Sequence, residues 1–229
     1  MSQQRVADAL AEAVIGEIRS GMIVGMGTGR TASRGVIALA ERVKEHGLDV
    51  RCVPTSHATE TLARYHGLPV IDFTLVESVD LLFDGADEVD PHLRMLKGAG
   101  GAMTRERIVA WASKRRVYMV DERKLVDRLG TRTTLAVAVL AFGLSAVRSE
   151  LRSLGLNGVV RRTIKGELFI TDNGNLIVDV ALGEHDVEEL DAALNSIPGV
   201  VDHGLFLTEA DEVFVERSDG TVDRLRREG

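Results

Sequence analysis

Asp84, Asp87, Lys97 and Glu106 fall within one short stretch, FDGADEVDPHLRMLKGAGGAMTRE, running from Phe83 to Glu106. The largely apolar run Val79–Phe83 (VDLLF) before it reads as a buried strand. Asp84 and Asp87 follow, with Gly85 and Ala86 between them. In open α/β sheets ligands bind beyond the carboxyl ends of the strands. Two acids there can hold sugar hydroxyls, a metal or a proton in transit. Lys97-Gly98-Ala99-Gly100-Gly101 then allows the backbone to come close to a ligand. A helix is expected from about Ala102, with Glu106 in its first turn or two, where the helix dipole favours the ionised carboxylate that a general base requires. Taken singly, each piece has an ordinary explanation. Asp and Gly are common turn residues, a first-turn Glu complements the dipole, and a lone Lys is usually solvated. Their combination within one connection points to chemistry.

A second anion-binding candidate lies upstream. Val6, Leu10, Ala13, Val14 and Ile18 share one face of a helix expected over Arg5–Ile18, and Met22–Met26 reads as a buried strand. Gly27-Thr28-Gly29-Arg30-Thr31-Ala32 then leads into a helix through about Glu45. A glycine turn feeding a helix start presents free amides and the positive end of a dipole to an anion. Thr28 and Thr31 add hydroxyl donors, and Arg30 adds a cation suited to phosphate oxygens. The segment fits G-x-G-x-x-A, but the acid that should end the second strand of a dinucleotide site is missing: Asp49 precedes the strand Val50–Val53, which ends in Pro54-Thr55-Ser56. No Gly-Lys-Ser/Thr closes a Walker loop either. A small phosphorylated ligand fits better than a nucleotide, and a plain strand–helix turn is the alternative. Ser56 reads as an N-cap for a helix to about His66, a second hydroxyl-rich junction and a possible ligand edge. His57 and His66 lack metal-ligand spacing with a third donor and read as solvated or packed.

Composition narrows the class. The 229 residues are 45% hydrophobic, enough for a sizeable core, and the formal net charge of −7 argues against general nucleic-acid binding. Cys52 is the single cysteine, which excludes an internal disulfide and suits a reducing compartment. Met1–Ser20 has no apolar signal core, and the longest uncharged run, Thr133–Val147, is too short to span a bilayer. The expectation is a soluble cytoplasmic protein with no membrane or nucleic-acid partner.

Further strands are expected at Val70–Ile71 and Val117–Val120, with a helix Met103–Ser113 carrying Met103, Ile108 and Trp111 toward the core. Lys124 falls just past the strand end at Asp121, placed to close over a ligand. This alternation predicts a parallel sheet covered on both faces. The pattern changes after Gly130. A strand at Leu135–Val139, a helix at Leu144–Leu154, short strands at Gly158–Arg161, Leu168–Thr171 and Leu176–Val180, and a helix at Val187–Asn195 suggest a small α+β, ferredoxin-like domain. Gly204–Leu207, Glu212–Val215 and Thr221–Leu225 are again strand-like and can return to the first domain. The fold class is therefore α/β, a Rossmann-like parallel-sheet domain (1–130 plus 207–229) with a smaller α+β domain (131–206).

Seven segments together resemble ribose-5-phosphate isomerase, type A: GMGTGRTA at Gly25–Ala32, PTSHATE at Pro54–Glu60, DGADEVD at Asp84–Asp90, KGAGGAMTRERIVA at Lys97–Ala110, DERKLVDRLG at Asp121–Gly130, TDNGN at Thr171–Asn175 and IPGVVDHGLF at Ile197–Phe206. They occur in the family's order and span nearly the whole chain. The resemblance implies interconversion of D-ribose 5-phosphate and D-ribulose 5-phosphate, with Glu106 as proton acceptor and no metal or cofactor. It implies substrate contacts from Thr28, Gly29, Arg30 and Thr31, from Asp84, Gly85, Ala86 and Asp87, from Lys97, Gly98, Ala99 and Gly100, and from Lys124. A homodimer or homotetramer is the implied assembly.

The chain departs from the family's pattern in three places. Arg30 stands where Ser is common, Ala7 and Asp8 stand where a basic pair is frequent in the first helix, and Ala141-Phe142 lacks the usual preceding Pro. Arg30 is the candidate to replace the missing first-helix cation at a phosphate. Two other readings belong beside the isomerase: a non-catalytic sugar-phosphate sensor domain, and a neighbouring sugar-phosphate isomerase or deaminase. The sensor reading lacks the DNA-binding module such proteins carry, since no basic recognition helix appears.

Overall fold

The computed structural model describes residues 8–227. Residues 8–85, 109–123 and 210–227 form one compact unit, and residues 86–108 and 124–209 form another.

The first unit is built on a six-stranded sheet. Its elements are α1 (Ala9–Ile15), β1 (Ile23–Met26), α2 (Arg30–His46), β2 (Arg51–Pro54), α3 (His57–Tyr65), β3 (Leu81–Asp84), and then, after chain that belongs to the second unit, β6 (Arg116–Asp121), β12 (Glu212–Glu216) and β13 (Val222–Arg226). The sheet order is β2-β1-β3-β6-β12-β13, parallel except for β13. The chain leaves β1 toward β2 on one side and returns to β3 on the other. The carboxyl ends of β1 and β3 therefore flank the switch point at which open α/β sheets bind ligands.

Strand alternation distributes the core. Leu81 and Phe83 pack with Leu10, Val14, Val36 and Leu39 on one side of β3. Leu82 packs with Val53, Val79, Val109 and Ala110 in a separate cluster. Each fully buried Val, Leu or Phe among them contributes about 1.5–3 kcal/mol relative to exposure. Helix α1 begins at Ala9, capped by Asp8, whose Oδ1 accepts the Ala11 N–H at 3.0 Å. Of the helix expected over Arg5–Ile18, the residues Arg5, Val6 and Ala7 lie outside the described residues.

The second unit contains β4 (Glu88–Val89), β5 (Met95–Leu96) and β11 (Leu205–Phe206), a three-stranded sheet ordered β11-β5-β4. It also contains β7 (Leu135–Val139), α5 (Leu144–Ser153), β8 (Gly158–Val160), β9 (Leu176–Val180), α6 (Val187–Ser196) and β10 (Val200–His203). These strands form an antiparallel sheet ordered β10-β7-β9-β8, the arrangement of a ferredoxin-like βαββαβ unit. Leu135, Val137 and Val139 alternate onto a core with Val178, Val180, Val147, Leu151, Leu190 and Leu194.

Three expectations change. The units divide the chain differently from 1–130 plus 207–229 and 131–206, because β4 and β5 pair with β11 rather than with the large sheet, taking residues 86–108 into the second unit. Segment 168–171 forms no strand: Leu168 makes an isolated bridge to Arg162, and Leu168 and Ile170 are exposed. On helix α4 (Met103–Trp111), Met103 is buried but Ile108 and Trp111 are exposed. At roughly 100° per residue, Ile108 points about 140° away from Met103. Glu106 and Ala110, at three- and four-residue spacing, take the buried positions instead. No helix among the described residues is long and apolar enough to cross a membrane.

Candidate active site

In the first unit the ends of β1 and β3 meet closely. Gly27 donates its N–H to the Phe83 carbonyl at 2.8 Å. A Cβ at Gly27 would lie 2.0 Å from Asp84 Oδ1 and 2.5 Å from its Cα, so only glycine permits this approach. Asp84 is fully buried, and its Oδ1 accepts the N–H groups of Thr28 at 3.1 Å and Gly85 at 2.7 Å. The carboxylate is thus oriented by the same loop that was expected to bind an anion. Arg30 is the first residue of α2 and is exposed, as is Gly29, while Thr31 is half-buried.

Thr28 is not the unencumbered hydroxyl donor that its place in the loop suggested. Its Oγ1 lies 2.8 Å from Thr55 Oγ1, 2.8 Å from Ser56 Oγ and 3.1 Å from Thr59 Oγ1. Ser56 caps α3 as expected, its Oγ accepting the Thr59 N–H at 3.1 Å. Thr55, Ser56 and Thr59 are all buried.

In the second unit, Lys97 Nζ stands 3.3 Å from Glu106 Oε2, with the two side chains 3% and 6% exposed. Lys97 comes from the end of β5, and its N–H donates to the Gly204 carbonyl at 2.9 Å. Glu106 comes from the first turn of α4. Burial of either charge alone is costly, and the opposite charge at this distance offsets part of that cost. Gly98 adopts φ of 103°, and a Cβ there would lie 2.9 Å from the Ala136 Cβ. The turn that carries Lys97 toward Glu106 therefore demands glycine at that position. Ala99 and Gly100 are exposed, and the Ala99 N–H donates to Asp87 Oδ2 at 2.9 Å. Ala86 and Lys124 are half-buried, Lys124 ending a short 3-10 turn.

Several supporting residues were not singled out from the sequence. Arg107, next to Glu106 on α4, donates to Asp202 Oδ1 at 2.8 Å and to the carbonyls of His203 and Leu205 at 2.8 and 2.7 Å, and also pairs with Glu209. Its guanidinium lies 4.1 Å from the Phe206 ring centroid, and Lys97 Nζ lies 5.6 Å from the same ring. Arg161 binds Asp179 and donates to the carbonyls of Gly98 and Ala99 at 2.8 and 3.0 Å, pinning the glycine turn. Glu88 is fully buried and accepts the N–H groups of Gly130, Arg132 and Thr133 at 2.6, 2.6 and 2.7 Å. The DGADEVD and DHGLF motifs contain Glu88 and Phe206, but only contacts distant in sequence reveal their work.

The first unit therefore joins Thr28 to Asp84 and Gly85. The second joins Asp87 to the Lys97–Gly100 turn and Lys97 to Glu106. Between Asp84 and Asp87 the chain passes from the first unit to the second at the Gly85–Ala86 peptide. None of these hydrogen bonds or ion pairs reaches Arg30 or Lys124 among the described residues. A carboxylate and an ammonium buried together next to a glycine turn can exchange a proton with a bound carbon acid and neutralise the oxyanion that results.

Residues 51–220 match the family model described as ribose 5-phosphate isomerase A (phosphoriboisomerase A). The ribose-5-phosphate isomerase A of Sphingopyxis alaskensis is 45% identical over 215 residues, covering 93% of each chain. That of Roseiflexus castenholzii is 46% identical over 215 residues, covering 93% of this chain and 92% of the relative. Among solved structures, ribose 5-phosphate isomerase A from Methanocaldococcus jannaschii superposes with a TM-score of 0.90 at 36% identity, over 95% of this chain and 96% of that one. A D-ribose-5-phosphate isomerase in complex with phospho-erythronic acid gives 0.92 at 34% identity, over 96% and 97%. With the family model matching most of the chain and relatives this similar along nearly its whole length, the chain belongs to the ribose 5-phosphate isomerase A family.

Proposed function

We propose that the chain interconverts D-ribose 5-phosphate and D-ribulose 5-phosphate by proton transfer through an enediolate. The buried Lys97–Glu106 pair, 3.3 Å apart in a member of this family, is the observation that carries the assignment of roles.

Glu106 removes the C2 hydrogen of the open-chain aldose as a proton. The C–H electron pair forms the C1–C2 double bond, and the carbonyl pair moves onto O1. The Lys97 ammonium offsets the charge on that oxygen, a contribution worth roughly 3–4 kcal/mol for one such donor. Glu106 then returns a proton to C1, while the O2 hydrogen passes to O1 and C2 becomes the carbonyl. No net oxidation occurs. A positioned base supplies about 10²–10⁴ in rate. Asp84 and Asp87 hold substrate hydroxyls and assist ring opening. Thr28 takes a substrate hydroxyl, and Gly29, Arg30 and Thr31 take the phosphate end, with Arg30 supplying the cation that the first helix lacks. Gly85, Ala86, Gly98, Ala99, Gly100 and Lys124 complete the contacts. A cytoplasmic homodimer or homotetramer belongs to the same reading, on the strength of the family resemblance.

The test is solvent deuterium incorporation followed by NMR. Metal-free protein is incubated with ribose 5-phosphate in D₂O, with Glu106→Gln as control. Ribulose 5-phosphate bearing exchanged carbon-bound hydrogen should form only with the unaltered chain. Near-normal turnover by Glu106→Gln would remove Glu106 as the base. Binding without conversion or exchange in the unaltered chain would favour a sensor instead.

A further inference from the structure

The direction of the hydroxyl chain beside the first loop follows from its far end. Thr59 Oγ1 lies 2.9 Å from the Gly27 carbonyl oxygen, which can only accept, so Thr59 donates its single hydroxyl hydrogen there. Ser56 Oγ, 3.0 Å from Thr59 Oγ1, must then be the donor of that contact. Ser56 has spent its hydrogen, so Thr28 is the donor in the Thr28–Ser56 contact at 2.8 Å, with Thr59 Oγ1 at 3.1 Å a weaker second acceptor. Thr55 in turn donates to Thr28 across 2.8 Å. One carbonyl thus orders four hydroxyls in a single direction, Thr55 to Thr28 to Ser56 to Thr59 to Gly27. Thr55, Ser56 and Thr59 are buried, so water does not readily substitute for a missing link.

We propose that this one-way hydroxyl chain is an orienting device for the first loop: it holds the Gly27 carbonyl and the Thr28 side chain inward, so that Thr28 meets a ligand as a hydrogen-bond acceptor while backbone N–H groups at the start of α2 take anionic oxygens. Thr59 and Ser56 are positioning residues, acting through Gly27 and Thr28. Thr28 Oγ1 keeps a lone pair for a ligand hydroxyl but has no hydrogen to offer a phosphate dianion. The inference rests on the proposed sugar-phosphate function and names how one end of that ligand is selected.

The order of the chain makes its links unequal. Thr59→Val removes both the acceptor for Ser56 and the donor to Gly27, whereas Thr55→Val removes only the first donor and leaves the remaining direction intact. For Thr59→Val, KM for ribose 5-phosphate and the inhibition constant of inorganic phosphate should both rise roughly tenfold, about the effect of one lost hydrogen bond. The value of kcat should stay within about twofold of the unaltered chain, the change one weak contact makes. Thr59→Ser should restore both constants, and Thr55→Val should change them by about twofold or less on the same scale. Direct calorimetric titration with inorganic phosphate gives a readout independent of turnover. A tenfold weaker titration by Thr59→Val would support the chain even if the protein isomerised nothing. Unchanged phosphate binding in Thr59→Val would overturn it, as would a fall in kcat without a change in KM. Equal effects from Thr55→Val and Thr59→Val would overturn the direction. Should Thr59→Val not fold, the comparison of Thr59→Ser with Thr55→Val decides: the proposal is lost if Thr55→Val weakens phosphate tenfold while Thr59→Ser binds normally.

Discussion

Lys97 Nζ and Glu106 Oε2 lie 3.3 Å apart with both side chains almost wholly buried, so neither charge has bulk water to turn to if the other is removed. Lys97→Met or Glu106→Gln alone should therefore change stability as well as activity. Breaking a buried pair from one side typically costs about 3–5 kcal/mol when a charge is left behind. The double variant Lys97→Met/Glu106→Gln should recover much of the loss suffered by Lys97→Met, because both members of the pair lose their charge together. Urea unfolding of the four proteins measures the coupling. Strictly additive effects would mean that the pair is not energetically linked. On the proposed assignment of roles, activity should be nearly abolished in all three variants.

Arg107 ties α4 to the segment 202–209 through two carboxylates, two carbonyls and the face of Phe206. Glu106 is the preceding residue, and Lys97 approaches the same ring. Arg107→Lys should not rescue Arg107→Met, because an ammonium cannot reproduce the planar fork. Both variants should lower kcat at least tenfold while raising KM less, roughly the effect of 1–2 kcal/mol of lost positioning. Steady-state kinetics with ribose 5-phosphate checks this. A normal kcat in Arg107→Lys would show that the charge alone suffices.

His203 is buried, and its environment pushes its pKa down to about 3, through burial first and the Arg107 charge second. Below an unfolded value of 6.5, the unfolded chain binds a proton that the folded chain refuses. Stability from this residue is therefore complete above about pH 6.5 and falls as the pH drops toward 3. The slope is about 1.4 kcal/mol per pH unit. Asp191, whose Oδ1 is 3.5 Å from His203 Nε2, and Asp202 act in the opposite sense. Burial raises both, so the folded state takes their protons first and gains stability as the pH falls. Comparing the unaltered chain with His203→Gln isolates the histidine contribution: the variant should lose stability less steeply between pH 6.5 and 5. Parallel curves would exclude the assignment.

Much of the candidate site was legible in the chain because its parts are local. A strand followed by Asp84, a glycine turn after Lys97 and a carboxylate in the first turn of α4 depend on neighbours in sequence and on the short-range rules of strands, turns and helix starts. The alternation of apolar runs likewise implied both the parallel sheet and the α+β unit after Gly130, and the order of seven motifs implied the family. Tertiary structure decided what distant segments do to one another. Gly27 must be glycine because Asp84, from another strand, fills the space of its Cβ. Ile108 and Trp111 face outward because helix geometry gives the buried positions to Met103, Glu106 and Ala110. Segment 86–108 leaves the large sheet because β5 finds β11, more than a hundred residues later, as its partner. The direction of the Thr55–Thr28–Ser56–Thr59 chain is set by a carbonyl that only folding brings within 2.9 Å. Residue type and spacing can nominate a proton acceptor. Whether a hydroxyl donates or accepts, and which face of a helix is buried, depends on contacts that exist only after the chain has closed on itself.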